Sequence, residues 1–195
     1  MRHFRIGRGA IVGTLAILGG AASLAFTPKL NSGVEKGEML TAFQPHHVTG
    51  ADRNSDTCPV CMYPQNPAVQ VWVNGDDENN ARALIRNLEQ ETVAHKAKKF
   101  KAFVVFINPQ RQSAAAMKAK LAKIGAEEKV KNVALVYLPG PTDAAVADYK
   151  INTAETVKNT IFVYRARKVA AKFVNFTANT ANLKTLDAAI SEVAK

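Results

Sequence analysis

The chain has 195 residues, 26 Lys and Arg against 16 Asp and Glu, and a formal net charge of +10. Its 47% hydrophobic and 22% charged content excludes a disordered or collagen-like polymer, and its length suits one domain. Two cysteines, Cys58 and Cys61, close at most one bridge, which excludes a disulfide-dense mini-protein.

Only one segment is long and uncharged enough to cross a bilayer, so a multi-span membrane protein is excluded as well. Arg2, Arg5 and Arg8 precede the uncharged run from Gly9, which exits through Ser23-Leu24-Ala25 toward Pro28. A positive start, an apolar centre and a small-residue exit are the parts of a secretory signal peptide over residues 1–25, with cleavage after Ala25. The alternative is an uncleaved membrane anchor over Gly9 to Pro28, weakened by glycines at 9, 13, 19 and 20. Under either reading the remainder is exported: periplasmic, extracellular, or anchored and facing outward. Residues 26–39 have no hydrophobic period and read as a linker.

Phe43 to Val48 looks like a short strand closed by Thr49-Gly50. A polar loop from Ala51 to Thr57 leads into Cys58-Pro-Val-Cys61-Met-Tyr-Pro64, and Ala68 to Val73 follows as a buried strand. Asp76, Asp77 and Glu78 suit the start of a helix over 79–97, where acids favour the dipole. On that helix Ala81, Leu84, Ile85, Leu88 and Thr92 form one stripe. His95, at the stripe's edge, reads as a packed or half-exposed helix residue. Lys96, Lys98, Lys99 and Lys101 close the helix and read as its solvated end. No interleaving with aromatics suggests nucleic-acid binding, so no nucleic-acid partner is expected.

Phe100 to Ile107 is the strongest strand. Ser113 to Ile124 follows as a helix with Ala114, Met117, Leu121 and Ile124 on one face and Gly125 as its stop. Val133 to Leu138 is a strand ended by Pro139-Gly-Pro141, and 143–149 is a short helix. Ile161–Tyr164 and Val169–Val174 form a hairpin, although Arg165-Ala-Arg-Lys168 lacks the Gly or Asn that two-residue turns prefer. Thr180 caps a last helix with Leu183, Leu186, Ile190 and Val193 on one face.

This order implies an α/β fold, with a central mixed sheet and helices on both faces. From about residue 40 to 190 the element order resembles the thioredoxin-like superfamily, especially its exported redoxin branch. Phe43-x-Pro-x-x-Val-Thr-Gly50, the βαβ unit, the inserted helix and strand before Tyr149-Lys-Ile151, the hairpin and the closing helix carry the resemblance. It implies a three-layer thioredoxin-like domain over 40–195.

Cys58-Pro-Val-Cys61 has C-x-x-C spacing, and with Thr57 it resembles the glutaredoxin active-site motif. Two departures from the family pattern stand out. The pair precedes the first central strand, whereas the resemblance implies cysteines after it, where this chain has Asn74 to Asn80. Aligning Thr160-Ile-Phe-Val puts Asn159 where the family has a cis-proline; a cis bond before a non-proline costs about 2.5–4 kcal/mol, so a trans bond is expected. The peroxidatic motif of peroxiredoxins is absent.

Three readings of the pair stand open: thiol–disulfide exchange at a relocated site near the opposite end of the sheet, a structural clip for the loop, or a metal site with His46 or His47. Adjacent strand histidines point to opposite faces, so at most one of these two joins easily. Trp72 reads as core. The resemblance also implies that Asn74–Asn80 and the turn before Thr160 bound a cleft without a nucleophile. No Ser/His/Asp set, phosphate loop or dinucleotide fingerprint is present, and no cofactor is expected. The expected partners are protein thiols or disulfides, or a reducing partner protein.

Overall fold

A computed structural model of the chain describes Met1, His3 and residues 30–195. Apart from Met1 and His3, the signal-peptide or anchor reading of residues 1–25 lies outside the described residues. No described helix is long and apolar enough to cross a membrane.

The elements run β1 (His46–His47), α1 (Pro59–Met62), β2 (Pro67–Val73), α2 (Glu78–Ala94), β3 (Lys101–Ile107), α3 (Ala114–Glu127), β4 (Ala134–Leu138), α4 (Ala144–Asp148), β5 (Asn159–Arg165), β6 (Lys168–Val174) and α5 (Thr180–Val193). They build one six-stranded sheet in the order β1-β4-β3-β2-β5-β6. β2, β3 and β4 are parallel, while β5 joins β2 antiparallel and β1 joins β4 antiparallel. All seven residues of β2 are buried, as a strand covered on both faces requires.

Alternation along β2 and β3 divides the core. Val69, Val71, Val73, Val104 and Phe106 face a cluster closed by α2, α3 and α5. Leu84, Ile85 and Leu88 of α2 are fully buried there, each contributing about 1.5–3 kcal/mol of apolar burial. Ala68, Trp72, Phe103 and Val105 face a second cluster, covered by α1, α4 and the segment before β1. Trp72 is core, as expected, stacked with Phe43 at 5.3 Å and Tyr149 at 4.6 Å. The same side holds a buried polar chain: Trp72 Nε1 donates to Gln70 Oε1 at 3.1 Å, and Gln70 Nε2 donates to the Tyr164 hydroxyl at 3.4 Å.

Several boundaries differ from the sequence expectations. The first strand shrinks to His46–His47, because Phe43 turns into the aromatic cluster instead of pairing. Of the stretch read as linker, residues 32–39 pack on the domain. Ser32 Oγ lies 2.6 Å from Thr160 Oγ1, Gly33 N donates to Lys150 O, and Met39 bridges Lys168. Gly33 sits at φ +83°, and a Cβ there would meet the Phe162 ring at 2.4 Å, so this strap needs glycine.

Gly125 does not stop α3, which runs on to Glu127. A Cβ at Gly125 would meet Thr49 Cγ2 at 2.8 Å, so the glycine admits the loop after β1. The stop comes at Lys129 (φ +53°), with Val130 N donating to Gly125 O. The N-cap of α5 is Asn179, whose side chain accepts from Asn182 N, rather than Thr180. α2 ends at Ala94, one turn earlier than expected, and a 3-10 turn at Lys96–Lys98 follows.

Candidate functional site: the Cys58–Cys61 loop

Cys58 and Cys61 form a disulfide with a Cα–Cα separation of 5.2 Å. The loop closes because α1 is a single turn. Cys58 is its N-cap, and Pro59 takes a first-turn position where no amide donor is needed. Tyr63 and Pro64 then end it. Cys58 Sγ accepts the Cys61 amide at 3.2 Å. The two sulfurs are not equivalent: Cys58 is buried in the second core cluster beside Val60, whereas Cys61 is exposed.

No residue of Asn74–Asn80 lines the groove beside the pair. The residues that follow it do lie near the strand starts, with the Tyr63 ring 6.2 Å from Phe103 and Asn66 Nδ2 donating to Lys99 O at 2.6 Å. The disulfide itself lies over the second face of the sheet. There it lines an open groove of about 400 Å³ with Phe43, Ala145, Asp143 and Asp148. Asp143 caps α4 by accepting from Ala145 N, and Asp148 is exposed at the end of that helix. Sequence reasoning placed the helix at 143–149 but not these carboxylates beside the sulfurs. The cap signal of Asp143 was readable, whereas its proximity to Cys58 depends on how α4 docks.

The metal candidates do not assemble. His46 Nδ1 donates to Asp56 at 2.6 Å, and its ring stacks on Tyr137 at 4.8 Å. His47 is 3% exposed, and its Nε2 donates to Thr57 O at 2.9 Å. Burial holds the His47 imidazole below its ordinary pKa, against the opposing pull of Thr57 O, Asp52 and Asp56. Both sulfurs are committed to each other, and among the described residues no three His, Cys, Asp or Glu side chains group to hold an ion. His95 is the C-cap of α2, half-buried and 3.3 Å from Glu91.

At the expected cleft a small cavity of about 170 Å³ remains, lined by Gly75, Asp76 and Glu78 with Pro109 and Gln112 after β3, while the side facing Thr160 is bridged by hydrogen bonds. Asp77 caps α2, accepting from Asn79 N and Asn80 N. Asp76 Oδ2 accepts from Asn80 Nδ2 at 2.7 Å and from Asn159 Nδ2 at 2.6 Å. Asn159 is 1% exposed and also exchanges hydrogen bonds with both backbone groups of Phe176. Its amide fills the position aligned with the family's proline, and none of the described peptide bonds is cis.

The strand order and layers match a group of solved redox proteins. A Chlorobium tepidum structure described as the thiol:disulfide interchange protein DsbE superposes with a TM-score of 0.61 at 16% identity, covering 83% of this chain and 99% of its own. The chain has the thioredoxin-like fold. Peroxidoxin BcpB from Mycobacterium tuberculosis gives 0.61 at 14% identity, covering 81% of this chain and 97% of its own. The thioredoxin domain of a thiol-disulfide oxidoreductase from Bacteroides vulgatus gives 0.57 at 14%, covering 80% and 99%. No protein-family model matches the sequence, and no curated protein is similar to it.

Proposed function

We propose that this is an exported thioredoxin-fold protein that exchanges thiols and disulfides through Cys58 and Cys61. The observation that carries the reading is the unequal pair: an exposed residue, Cys61, bonded to a buried one, Cys58, whose sulfur already accepts an amide N–H. Thiol–disulfide exchange needs one sulfur open to in-line attack and another that leaves readily. An incoming thiolate attacks Cys61 Sγ; the Cys58–Cys61 bond breaks, and Cys58 leaves as a thiolate received by the Cys61 amide. Reattack of Cys58 on Cys61 expels the partner again. In the reducing direction the Cys61 thiolate attacks a substrate disulfide and expels one substrate thiolate, and Cys58 then attacks Cys61 to expel the other, so that the substrate gains two electrons and the Cys58–Cys61 disulfide re-forms.

Asp143 and Asp148 beside the groove favour a partner thiol flanked by basic residues, since a negative site repels an acidic approach. The solved neighbours named for thiol:disulfide interchange and thiol-disulfide oxidoreduction support the same chemistry. Export rests on the N-terminal residues alone.

Burial of Cys58 in the core favours a second reading, a non-catalytic binding or scaffold module clipped by one disulfide. A redox titration separates the two, because structural disulfides lie below about −300 mV and labile ones above it. The expected result is a potential above that value, insulin reduction by the wild type, and a trapped mixed disulfide on Cys61 in Cys58→Ser. A lower potential with no insulin reduction would overturn the exchange reading in favour of the clip.

A further inference from the structure

The lysines between α2 and β3 do not merely face solvent. Lys96, Lys99 and Lys101 line a half-open cavity of about 490 Å³ together with Lys131, from the loop before β4. Its wall includes the Tyr63 ring and the Asn66 amide. The size falls within the range of small-ligand sites. Sequence alone separates Lys131 from the other three, and only the parallel pairing of β3 with β4 brings the loops before these strands together.

Part of the surface charge elsewhere is paired, whereas among the described residues Lys98, Lys118, Lys129, Lys158 and Lys184 stand alone like the cavity lysines. Arg82 and Arg86 are bound by Glu78, Glu127 and Glu128, and Lys150 and Lys172 meet Glu38 and Glu35. Among the described residues, Lys96, Lys99, Lys101 and Lys131 form no ion pair. No carboxylate lines the cavity. Two acids bonded to lining residues or their neighbours are engaged: Asp52 accepts from the Tyr63 hydroxyl, and Glu89 accepts from Asn132 and Val133. Four ammonium groups around one concavity repel one another unless an anion joins them.

The lysines are also held. Lys99 sits in the left-handed region at φ +57°, its N–H bonded to Lys96 O and its carbonyl to Asn66 Nδ2. Lys101 Nζ lies 4.3 Å from the centroid of the Tyr63 ring, which positions the ammonium on the cavity wall.

We propose that this cavity binds a multiply charged phosphate-bearing anion, either free in solution or as a lipid head group. Ammonium groups act on phosphate as point charges, so four of them select charge number rather than a fixed bidentate shape. The site is distinct from the disulfide groove and does not depend on the thiol chemistry.

The test uses inorganic pyrophosphate in isothermal titration, and flotation with phosphatidylcholine vesicles with and without phosphatidic acid, whose phosphomonoester head group carries up to two charges. Wild type is expected to bind at least one probe saturably. A Lys99→Gln/Lys131→Gln double variant should bind it about tenfold or more weakly, through two lost charge contacts. Lys118→Gln/Lys184→Gln removes the same charge from exposed sites on α3 and α5 and should bind like wild type. Pyrophosphate binding identifies a soluble ligand; binding to phosphatidic acid vesicles alone identifies a head group. Equal loss in both double variants, or no saturable binding of either probe, would overturn the proposal.

Discussion

Asp76 and Asn159, 83 residues apart in sequence, meet at 2.6 Å across the end of β2. The bond ties the loop opening α2 to the first residue of β5, at the end of the sheet where related folds place cysteines and a proline. Asn159 donates to Asp76 and Phe176 and accepts from Phe176, all while buried. Asn159→Ala strands the Phe176 amide and should cost about 1–3 kcal/mol by denaturant titration. The rate of Cys58–Cys61 reduction by dithiothreitol should stay unchanged, as it should in Asp77→Asn. A slowed or abolished reduction at unchanged stability would move the chemistry back to this end of the sheet.

The inequality of the two sulfurs sets a labelling order. After reduction, iodoacetamide should modify Cys61 before Cys58, because Cys58 is 9% exposed and packed in the core. Peptide mapping at short reaction times reads the order. Preferential labelling of Cys58 would reverse the roles assigned to the two.

His47 links stability to pH. Its imidazole is buried and held below the ordinary value of 6.5, chiefly by desolvation. A depressed folded pKa means that the unfolded chain binds the proton more readily. The stabilisation is therefore complete above 6.5 and is lost as pH falls through the range beneath it. His47→Gln keeps a donor for Thr57 O and cannot titrate. Its unfolding free energy should vary less with pH below 6.5 than that of wild type, measured by urea denaturation at successive pH values.

The β5–β6 hairpin turns through two non-glycine residues in the left-handed region, Ala166 at φ +48° and Arg167 at φ +63°. Such a residue costs about 1–2 kcal/mol, and glycine removes the Cβ clash. Ala166→Gly should raise the melting temperature by about 2–4 °C per kcal/mol recovered. The same change at Arg167 should gain less, because its guanidinium donates to Leu40 O at 3.1 and 3.0 Å. Scanning calorimetry of both variants checks the ranking.

That turn also shows where the sequence was readable. Arg165-Ala-Arg-Lys168 has no turn residue to announce it, and a contact with the distant Leu40 holds it in place. The flanking β-branched runs revealed the hairpin nonetheless. β2, β3, α2 and α5 were legible because burial on one or two faces imposes a period on consecutive residues. The strap at Ser32–Met39 was not, since its anchors at Lys150, Thr160 and Lys168 are tertiary and leave no local period. At the site, the C-x-x-C spacing allowed a disulfide but left a metal site open. The burial of Cys58 and the carboxylates of Asp143 and Asp148 emerge only when α4 docks on the second face. Likewise, Lys131 joins the other three lysines through a strand pairing that no local pattern encodes.

The central strand completes its hydrogen bonding late along the chain. Gln70 on β2 meets Tyr164 on β5, 94 residues further on, and β2 precedes every other long strand. Until β5 exists, one edge of a strand carrying Val69, Val71, Trp72 and Val73 stays bare, and a bare apolar edge recruits other chains. Folding of this domain must wait for nearly all of its residues, at the slow rates that distant pairings impose. Until that pairing closes, the nascent chain is open to association with its neighbours through the bare edge of β2.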